Sequence, residues 1–168
     1  MKHNYFKHLF TALLLLCTTV AFAHDFEVDG ICYNITDATK KTVEVTFQGD
    51  NADLQNHSRY NGKVVIPESV VYKGTTYRVT GIGLSAFDTT YLESIVIPAS
   101  VETIGRTAFL RSRLTEIEIP NSIVWVEHDA FSETPWYANQ PDGAVYVGKV
   151  LYGYKGTMPE NTSFVVED

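Results

Sequence analysis

Two short phrases return along this chain at a constant 22-residue spacing. Ile97-Pro98 recurs as Ile119-Pro120. Ala86-Phe87 recurs one step later as Ala108-Phe109, and after a second equal step as Ala130-Phe131. A repeat of this length predicts a solenoid, because each coil can bury its inner face only by stacking on its neighbours.

Each repeat also contains a segment with the pattern of a half-buried strand. Residues 114–119 have leucine or isoleucine at the first, fourth and sixth positions, and 92–97 match them one repeat earlier. Pro120 ends the strand because it lacks an amide hydrogen for the ladder. Burial of the phenylalanine that closes each coil contributes about 1.5–3 kcal/mol. We therefore predict a single column of three rings, formed by Phe87, Phe109 and Phe131.

The residues before the repeats are expected to form a small β-sheet. Asp29-Gly30 is a strong two-residue turn between strands at Phe26–Val28 and Ile31–Ile35. Thr42–Phe47 alternates β-branched and polar residues, which predicts a third, antiparallel strand. Such a sheet would cap the open end of the solenoid. The polar stretch at 49–62 is interpreted as a surface loop.

The repeat register is interrupted once near its start. The interval from Pro67 to Pro98 is longer than one repeat by nine positions. Insertions that leave the register intact belong in loops. We interpret 71–78 as an inserted hairpin that turns at Lys73-Gly74.

The pattern ends after Phe131. Trp136 occupies the leucine position of the next repeat and is expected to seal the last coil. Gly148-Lys149 predicts the turn of a C-terminal hairpin, and 164–166 predicts a last strand. The chain thus divides into a leader (1–23), an N-terminal β cap and loop (24–62), the solenoid (63–136, with the hairpin at 71–78) and a C-terminal hairpin with a terminal strand (137–168).

The first residues have the features of an export signal. Lys2 and Lys7 precede a nonpolar run at 9–20, and Ala21-Phe22-Ala23 predicts cleavage before His24. A retained membrane anchor is the alternative, and a lipid on Cys17 is a minor one, because Leu16 is not the small residue that this processing needs. We expect an exported protein that is secreted, periplasmic or at the cell surface, with no transmembrane segment in the mature chain.

Charge and cysteine content narrow the possible partners. Cleavage would remove two lysines and no acidic residue, so the net charge would change from −7 to −9. An acidic surface repels phosphate, which argues against nucleic acid and anionic membranes. Cys32 would be the only cysteine left. No disulfide is therefore expected, and Cys32 is interpreted as a small buried hydrophobe.

The full repeat motif is Ile97-Pro98-x-Ser100-Val101-x-x-Ile104-Gly105-x-x-Ala108-Phe109, followed by Leu114-x-x-Ile117-x-Ile119-Pro120. It resembles the motif of the BspA-like leucine-rich repeat proteins, a bacterial surface and secreted family. The fold class expected is mainly β, a short leucine-rich repeat solenoid of about three 22-residue coils with an N-terminal β cap and a C-terminal β-hairpin. One departure is Ser112, which stands where the family usually has cysteine.

The resemblance implies a function without chemistry. It implies a non-catalytic protein-binding or adhesin-type module whose partner is a protein, such as a host extracellular-matrix protein or another surface protein. We expect no enzyme activity, no cofactor and no metal. The histidines of the mature chain are His24, His57 and His128, and none has a cysteine, a second histidine or a paired carboxylate at ligand spacing.

Outward strand positions are the best candidates for a binding surface, because solenoids commonly bind across such a face. The opposing interpretation is that these residues only keep the sheet soluble. Trp125 is equivalent to Thr103, which faces outward, and a tryptophan exposed at this position could be a binding hot spot. We expect instead that the C-terminal hairpin covers Trp125. The candidate residues are Glu93, Ser94, Val96, Thr115, Glu116, Glu118 and Trp125.

Two alternative functions remain open at this stage. Aromatic side chains near the C-terminus could stack on sugar faces, although such rings more often pack on the body that they cap. The chain could also be a structural fragment of a longer repeat protein, without a ligand of its own. The aromatic candidates for carbohydrate binding are Trp136, Tyr137, Tyr146, Tyr152 and Tyr154.

Overall fold

The computed structural model describes residues 24–49 and 60–163, and strands dominate them. The predicted leader at 1–23 and terminal strand at 164–166 lie outside the described residues. The elements are β1 (Phe26–Val28), β2 (Ile31–Asp37), β3 (Thr42–Thr46), β4 (Asn61–Val65), β5 (Ser69–Tyr72), β6 (Thr75–Ile82), β7 (Tyr91–Val96), β8 (Thr103–Ile104), β9 (Glu116–Glu118), β10 (Trp125–Val126), α1 (Pro135–Ala138), β11 (Gly143–Val147) and β12 (Val150–Lys155).

The repeats build two parallel sheets, and successive coils place one strand in each. One sheet has the order β4-β7-β9, and the other includes the run β6-β8-β10. Ile95 pairs with Ile117, and Ile104 pairs with Val126, so the 22-residue step is also the pairing register. The solenoid predicted from the repeat is therefore confirmed.

The core contains the predicted aromatic column. The ring centroids of Phe87 and Phe109 are 5.2 Å apart, and those of Phe109 and Phe131 are 5.0 Å apart. All three side chains are fully buried. The backbone continues the stack, because the amide of Phe109 donates to the carbonyl of Ala130 at 2.8 Å. Each coil therefore completes the burial of its neighbour, as the repeat predicts.

The N-terminal cap extends one of the solenoid sheets. β1 pairs with β2 and β2 with β3, all antiparallel, and β3 then pairs in parallel with β6. Asp29 and Gly30 have φ of 50° and 79°, which is the backbone that the tightest hairpin turns require. The predicted cap is confirmed, and its sheet is continuous with the coils.

The predicted loop at 49–62 ends earlier than expected. Asn61 and Gly62 already belong to β4, and Tyr60 is buried. The Tyr60 hydroxyl accepts a hydrogen bond from the Cys32 amide and donates to the Thr46 carbonyl, both at 2.9 Å. A tyrosine in a polar sequence thus anchors the chain against the cap. The predicted loop residues 50–59 lie outside the described part.

Both predicted hairpins are present. β5 and β6 pair antiparallel across Lys73-Gly74, and β11 and β12 pair across Gly148-Lys149. Trp136 still keeps the register of the repeat, because its amide donates to the carbonyl of Leu114, its equivalent one coil earlier, at 2.8 Å. The chain then leaves the repeat through α1 and enters the C-terminal hairpin. Over residues 24–49 and 60–163, no helix is long and nonpolar enough to span a bilayer.

Turns at repeat-related positions use left-handed backbone without glycine. A positive φ is uncommon in residues with a side chain and costs energy. The positions recur in two sets at the spacing of the repeat. They are Ser85 (52°), Thr107 (54°) and Asp129 (58°) in the first set, and Thr89 (54°), Arg111 (56°) and Glu133 (58°) in the second.

Candidate binding surface

Six of the seven predicted binding residues lie on the outer side of the sheet β4-β7-β9. Across the strands, Lys63 pairs with Ser94 and Ser94 with Glu116. The next row joins Val65 to Val96 and Val96 to Glu118. We call this the strand face, formed by Lys63, Val65, Glu93, Ser94, Val96, Thr115, Glu116 and Glu118.

The strand face is acidic with a nonpolar row. Glu93, Glu116 and Glu118 are exposed, and Val65 is 56% exposed. Leu92 and Ile95 on the opposite side of β7, and Leu114 just before β9, are fully or almost fully buried. The inward residues therefore hold the strands in place, while the outward side chains remain available to a partner.

The border of the strand face contains a cation–aromatic pair. The Arg113 guanidinium lies 4.2 Å from the centroid of the Tyr91 ring, and Tyr91 is 45% exposed. Such contacts are favourable even at exposed sites. The pair adds an aromatic surface to a face that is otherwise acidic and aliphatic.

Trp125 does not share the strand face with the other six residues. It belongs to β10 and pairs with Thr103 of β8, so it lies in the other parallel sheet. The expectation that the C-terminal hairpin covers Trp125 is wrong, since 62% of this residue is exposed. Neighbouring Val124 is also exposed. Trp125 is therefore a separate candidate contact on a different side of the solenoid.

A groove of about 370 Å³ opens beside Trp125. Its walls include Glu44 of the cap together with Leu84, Arg106 and Glu127 of the repeats. Burial raises the pKa of Glu44, while a hydrogen bond from Asn34 acts in the opposite direction. Sequence reasoning missed this groove because the carboxylate comes from a segment outside the repeat. We call it the Trp125 groove.

The C-terminal aromatic residues mostly pack on the end of the solenoid. The Phe131 ring centroid is 4.7 Å from that of Trp136 and 5.5 Å from that of Tyr152. The Tyr152 hydroxyl accepts a hydrogen bond from the Phe131 amide at 3.0 Å, and burial raises the pKa of Tyr152. Tyr137 packs edge-on against Tyr152. Tyr146, in contrast, is 47% exposed.

The N-terminal hairpin brings together three side chains that can ligate a metal. The donor atoms of His24, Glu27 and Cys32 all lie within 4.8 Å of one another. Sequence spacing alone did not reveal this His24 cluster, because the residues do not form a local motif. The Asp29-Gly30 turn was a usable indication, since it sets Glu27 directly opposite Cys32. The other histidine within the described range, His128, is exposed.

Stacked coils, strands paired at a constant step and a central aromatic column define the class of the protein, a leucine-rich repeat solenoid. Residues 78–139 match the family model of the BspA type leucine rich repeat region in six copies. Residues 78–139 are thus similar in sequence to the BspA-type leucine-rich repeats, as the repeat motif predicts. The count of about three 22-residue coils stays a prediction.

Solved structures of leucine-rich repeat proteins are similar to this chain. One from Bacteroides ovatus is 36% identical over 60% of this chain and 24% of its own, with a TM-score of 0.49. One from T. pallidum is 22% identical over 64% of this chain and 45% of its own, with a TM-score of 0.49. One from Bacteroides capillosus is 22% identical over 66% of this chain and 92% of its own, also with a TM-score of 0.49.

The chain spans about a quarter of the B. ovatus protein and under half of the T. pallidum protein. No curated protein matches it closely enough to count as a relative.

Proposed function

We propose that this chain is an exported, non-catalytic module that binds a protein partner through the strand face. The BspA-type repeat region supports the general part, a repeat module for protein interaction. The observation that carries the specific part is the arrangement of outward side chains from β4, β7 and β9 in one continuous surface.

The construction of the strand face favours binding with little reorganisation. Hydrogen bonds continue past the paired strands, as the Ile66 amide donates to the Val96 carbonyl at 3.1 Å and the Ile97 amide to the Glu118 carbonyl at 3.2 Å. Preorganised surfaces lose less conformational entropy when a partner binds. A partner would therefore meet side chains on a fixed backbone.

The charge of the strand face indicates the chemistry of the partner. The strand face contains three glutamates, Glu93, Glu116 and Glu118, but only one basic residue, Lys63. The surface is therefore acidic. Complementary charge accelerates association and selects the partner, while the nonpolar row of Val65 and Val96 supplies area to bury. We expect a partner with a basic, partly nonpolar surface, such as a basic segment of an extracellular-matrix protein.

The remaining parts of the proposal rest on the sequence. Export rests on the predicted leader at 1–23, and an adhesin-type role on the family resemblance. The non-catalytic assignment is supported by the composition of the strand face, which contains carboxylates, hydroxyls, a lysine and aliphatic side chains but neither histidine nor cysteine. Carbohydrate binding by the C-terminal aromatics has less support, since Trp136, Tyr137 and Tyr152 pack on the body or on one another.

A charge-reversal experiment tests this proposal. The immobilised protein should retain basic proteins from an extracellular-matrix extract. The double variant Glu116→Lys/Glu118→Lys should bind at least about tenfold less of these proteins, because like charges would then face each other. Retention by the wild type should also fall as salt increases. The amount of bound protein is measured at two ionic strengths.

The matched control carries the same change in net charge elsewhere. Glu133→Lys/Glu160→Lys alters two exposed acidic residues outside β4, β7 and β9, and it should retain the same proteins as the wild type. Equal loss in both double variants would mean that only total charge matters. Full retention by the Glu116/Glu118 variant would remove the strand face as the binding surface.

A further inference from the structure

The His24 cluster has the donor set of a zinc site. Cysteine sulfur, histidine nitrogen and glutamate oxygen are the three ligand types that Zn²⁺ uses in proteins, and three such ligands leave a fourth position open. A soft thiolate is a poor ligand for calcium or magnesium, which take oxygen donors. The chemistry of these side chains therefore selects a borderline or soft transition-metal ion.

The sulfur and the carboxylate of the cluster lie close to the separation that a tetrahedral ion requires. The Cys32 sulfur lies 3.9 Å from Oε2 of Glu27, and all three donor atoms are within 4.8 Å of one another. Zn–S and Zn–O bonds of about 2.3 Å and 2.0 Å at a tetrahedral angle place S and O about 3.5 Å apart. Side-chain adjustments of a few tenths of an ångström would complete the first two bonds.

The backbone holds all three residues in place. Glu27 and Cys32 are directly opposite each other in the β1–β2 pair, and their side chains share one face of the sheet. The segment that carries His24 is tied down by its neighbour. The Asp25 amide donates to the Tyr33 carbonyl at 3.0 Å, and the Asp25 carboxylate accepts from the Ile35 amide at 2.7 Å.

One side of the His24 cluster is buried in the protein, and the other side is accessible to solvent. Cys32 is fully buried, and its amide donates to the Tyr60 hydroxyl. Glu27 is exposed and His24 is half-buried, so an ion can enter from the side of the carboxylate. Such second-layer contacts orient ligands and tune affinity.

We infer that His24, Glu27 and Cys32 form a binding site for a zinc-like transition-metal ion on the N-terminal cap. The Cys32 thiol releases its proton to solvent on binding, and His24 coordinates as neutral imidazole. One thiolate and one carboxylate then balance the two positive charges of Zn²⁺. Water, or the α-amino group exposed by the predicted cleavage before His24, fills the fourth position.

Cobalt(II) is a sensitive probe for this site, because thiolate ligation gives a charge-transfer absorption that oxygen and nitrogen ligands alone do not give. The full chain is expressed for export, its N-terminus is identified by mass spectrometry, and Co²⁺ and Zn²⁺ are titrated into it. We expect one equivalent of Co²⁺ to produce the thiolate band and one equivalent of Zn²⁺ to displace it. Zn²⁺ should also raise the melting temperature, since it binds the folded state.

Variants assign the ligands. Cys32→Ser should abolish the thiolate band, and the exposed change Glu27→Gln, which leaves the core intact, should weaken Zn²⁺ binding at least about tenfold. His128→Gln removes an exposed histidine elsewhere and should bind like the wild type. A Co²⁺ spectrum without the thiolate band would overturn the proposal, and so would unchanged Zn²⁺ affinity in Glu27→Gln. Binding by the strand face is measured separately, in the presence of chelator.

Discussion

Phe109 shows how one residue type at one repeated position determines the interior. Its ring lies between Phe87 and Phe131, with centroid distances of 5.2 and 5.0 Å and nearly parallel planes. Phe109 therefore buries both of its faces on equivalent rings of neighbouring coils, while Tyr60 packs beside Phe87 and Trp136 beside Phe131 at the two ends of the column. The sequence alone predicts this column, because a constant repeat length leaves each phenylalanine only one equivalent neighbour on either side.

Trp125 shows the limit of such reasoning for a single residue. The repeat correctly places it beside Thr103, yet its exposure depends on whether a later segment folds over it. The position of the C-terminal hairpin is determined by its packing against the end of the solenoid, where Tyr152 contacts Phe131. The local repeat pattern therefore does not predict whether the hairpin covers Trp125.

Glu44 is a carboxylate that folding partly removes from water. It faces Gly83, where an added Cβ would lie only 2.8 Å from the carboxylate. Burial raises the pKa of Glu44. The folded protein therefore binds more protons than the unfolded chain around the pKa, so this residue's contribution to stability falls as the pH rises through its unfolded and folded pKa values.

Glu44→Gln should therefore stabilise the protein at neutral pH, because the amide avoids the cost of a partly buried charge. The gain should disappear in acid, where the Glu44 carboxyl is protonated in both the folded and the unfolded state. Melting temperatures measured by circular dichroism across pH test this. Glu133→Gln, at an exposed position, is the control and should follow the wild-type profile. A gain of the same size at every pH would contradict the argument.

Adjacent coils approach each other closely at Gly83 and Gly105. A Cβ added at Gly105 would lie 2.9 Å from the Gly83 carbonyl carbon and 3.0 Å from the Leu84 amide nitrogen. Neither atom can move without displacing the next coil. The glycine is required by this close approach of two backbones.

Gly105→Ala should destabilise the protein by about 1–3 kcal/mol, as overpacking does. Urea unfolding monitored by fluorescence measures this loss. The control is Gly153→Ala in β12, where the nearest atom would be the Tyr137 hydroxyl at an ordinary 3.7 Å, and where we expect a change within about 0.5 kcal/mol. Equal effects of the two substitutions would show that close packing between coils is not the cause.

The elements differ in how far sequence predicts them. The β1–β2 hairpin follows from Asp29-Gly30, and its register even sets Glu27 opposite Cys32. The third member of the cluster, His24, depends on the path of the chain before β1, which the Asp25 hydrogen bonds determine. No periodic pattern describes that path, so the His24 cluster could not be predicted from spacing.

Among the described residues, one continuous sheet runs from the N-terminal cap to the last coil. β3 pairs with β6, β6 with β8, and β8 with β10. Each described strand along this path is joined to the next by backbone pairing. Repeat proteins lose cooperativity when the interfaces between units are weak. The continuity here predicts that the cap and the coils unfold together.

Two probes at opposite ends test this cooperativity. Cys32 in the cap is fully buried, so labelling of its thiol by a small disulfide reagent reports unfolding of the N-terminal end. The fluorescence of Trp136, in a Trp125→Phe variant, reports the C-terminal end. With chelator present, the two urea midpoints should coincide within error. A lower midpoint for either probe would mean that one end unfolds independently.

The left-handed corners recur at two positions in successive coils, at Thr107 and Arg111 and at their equivalents one repeat before and one repeat after. Such a backbone costs on the order of 1 kcal/mol or more at each non-glycine residue. Lengthening this architecture by duplication would thus add a fixed conformational penalty with every copy, along with the gain from one more buried ring. Glycine or asparagine at these corners is consequently a route to a longer and more heat-resistant array built from the same unit.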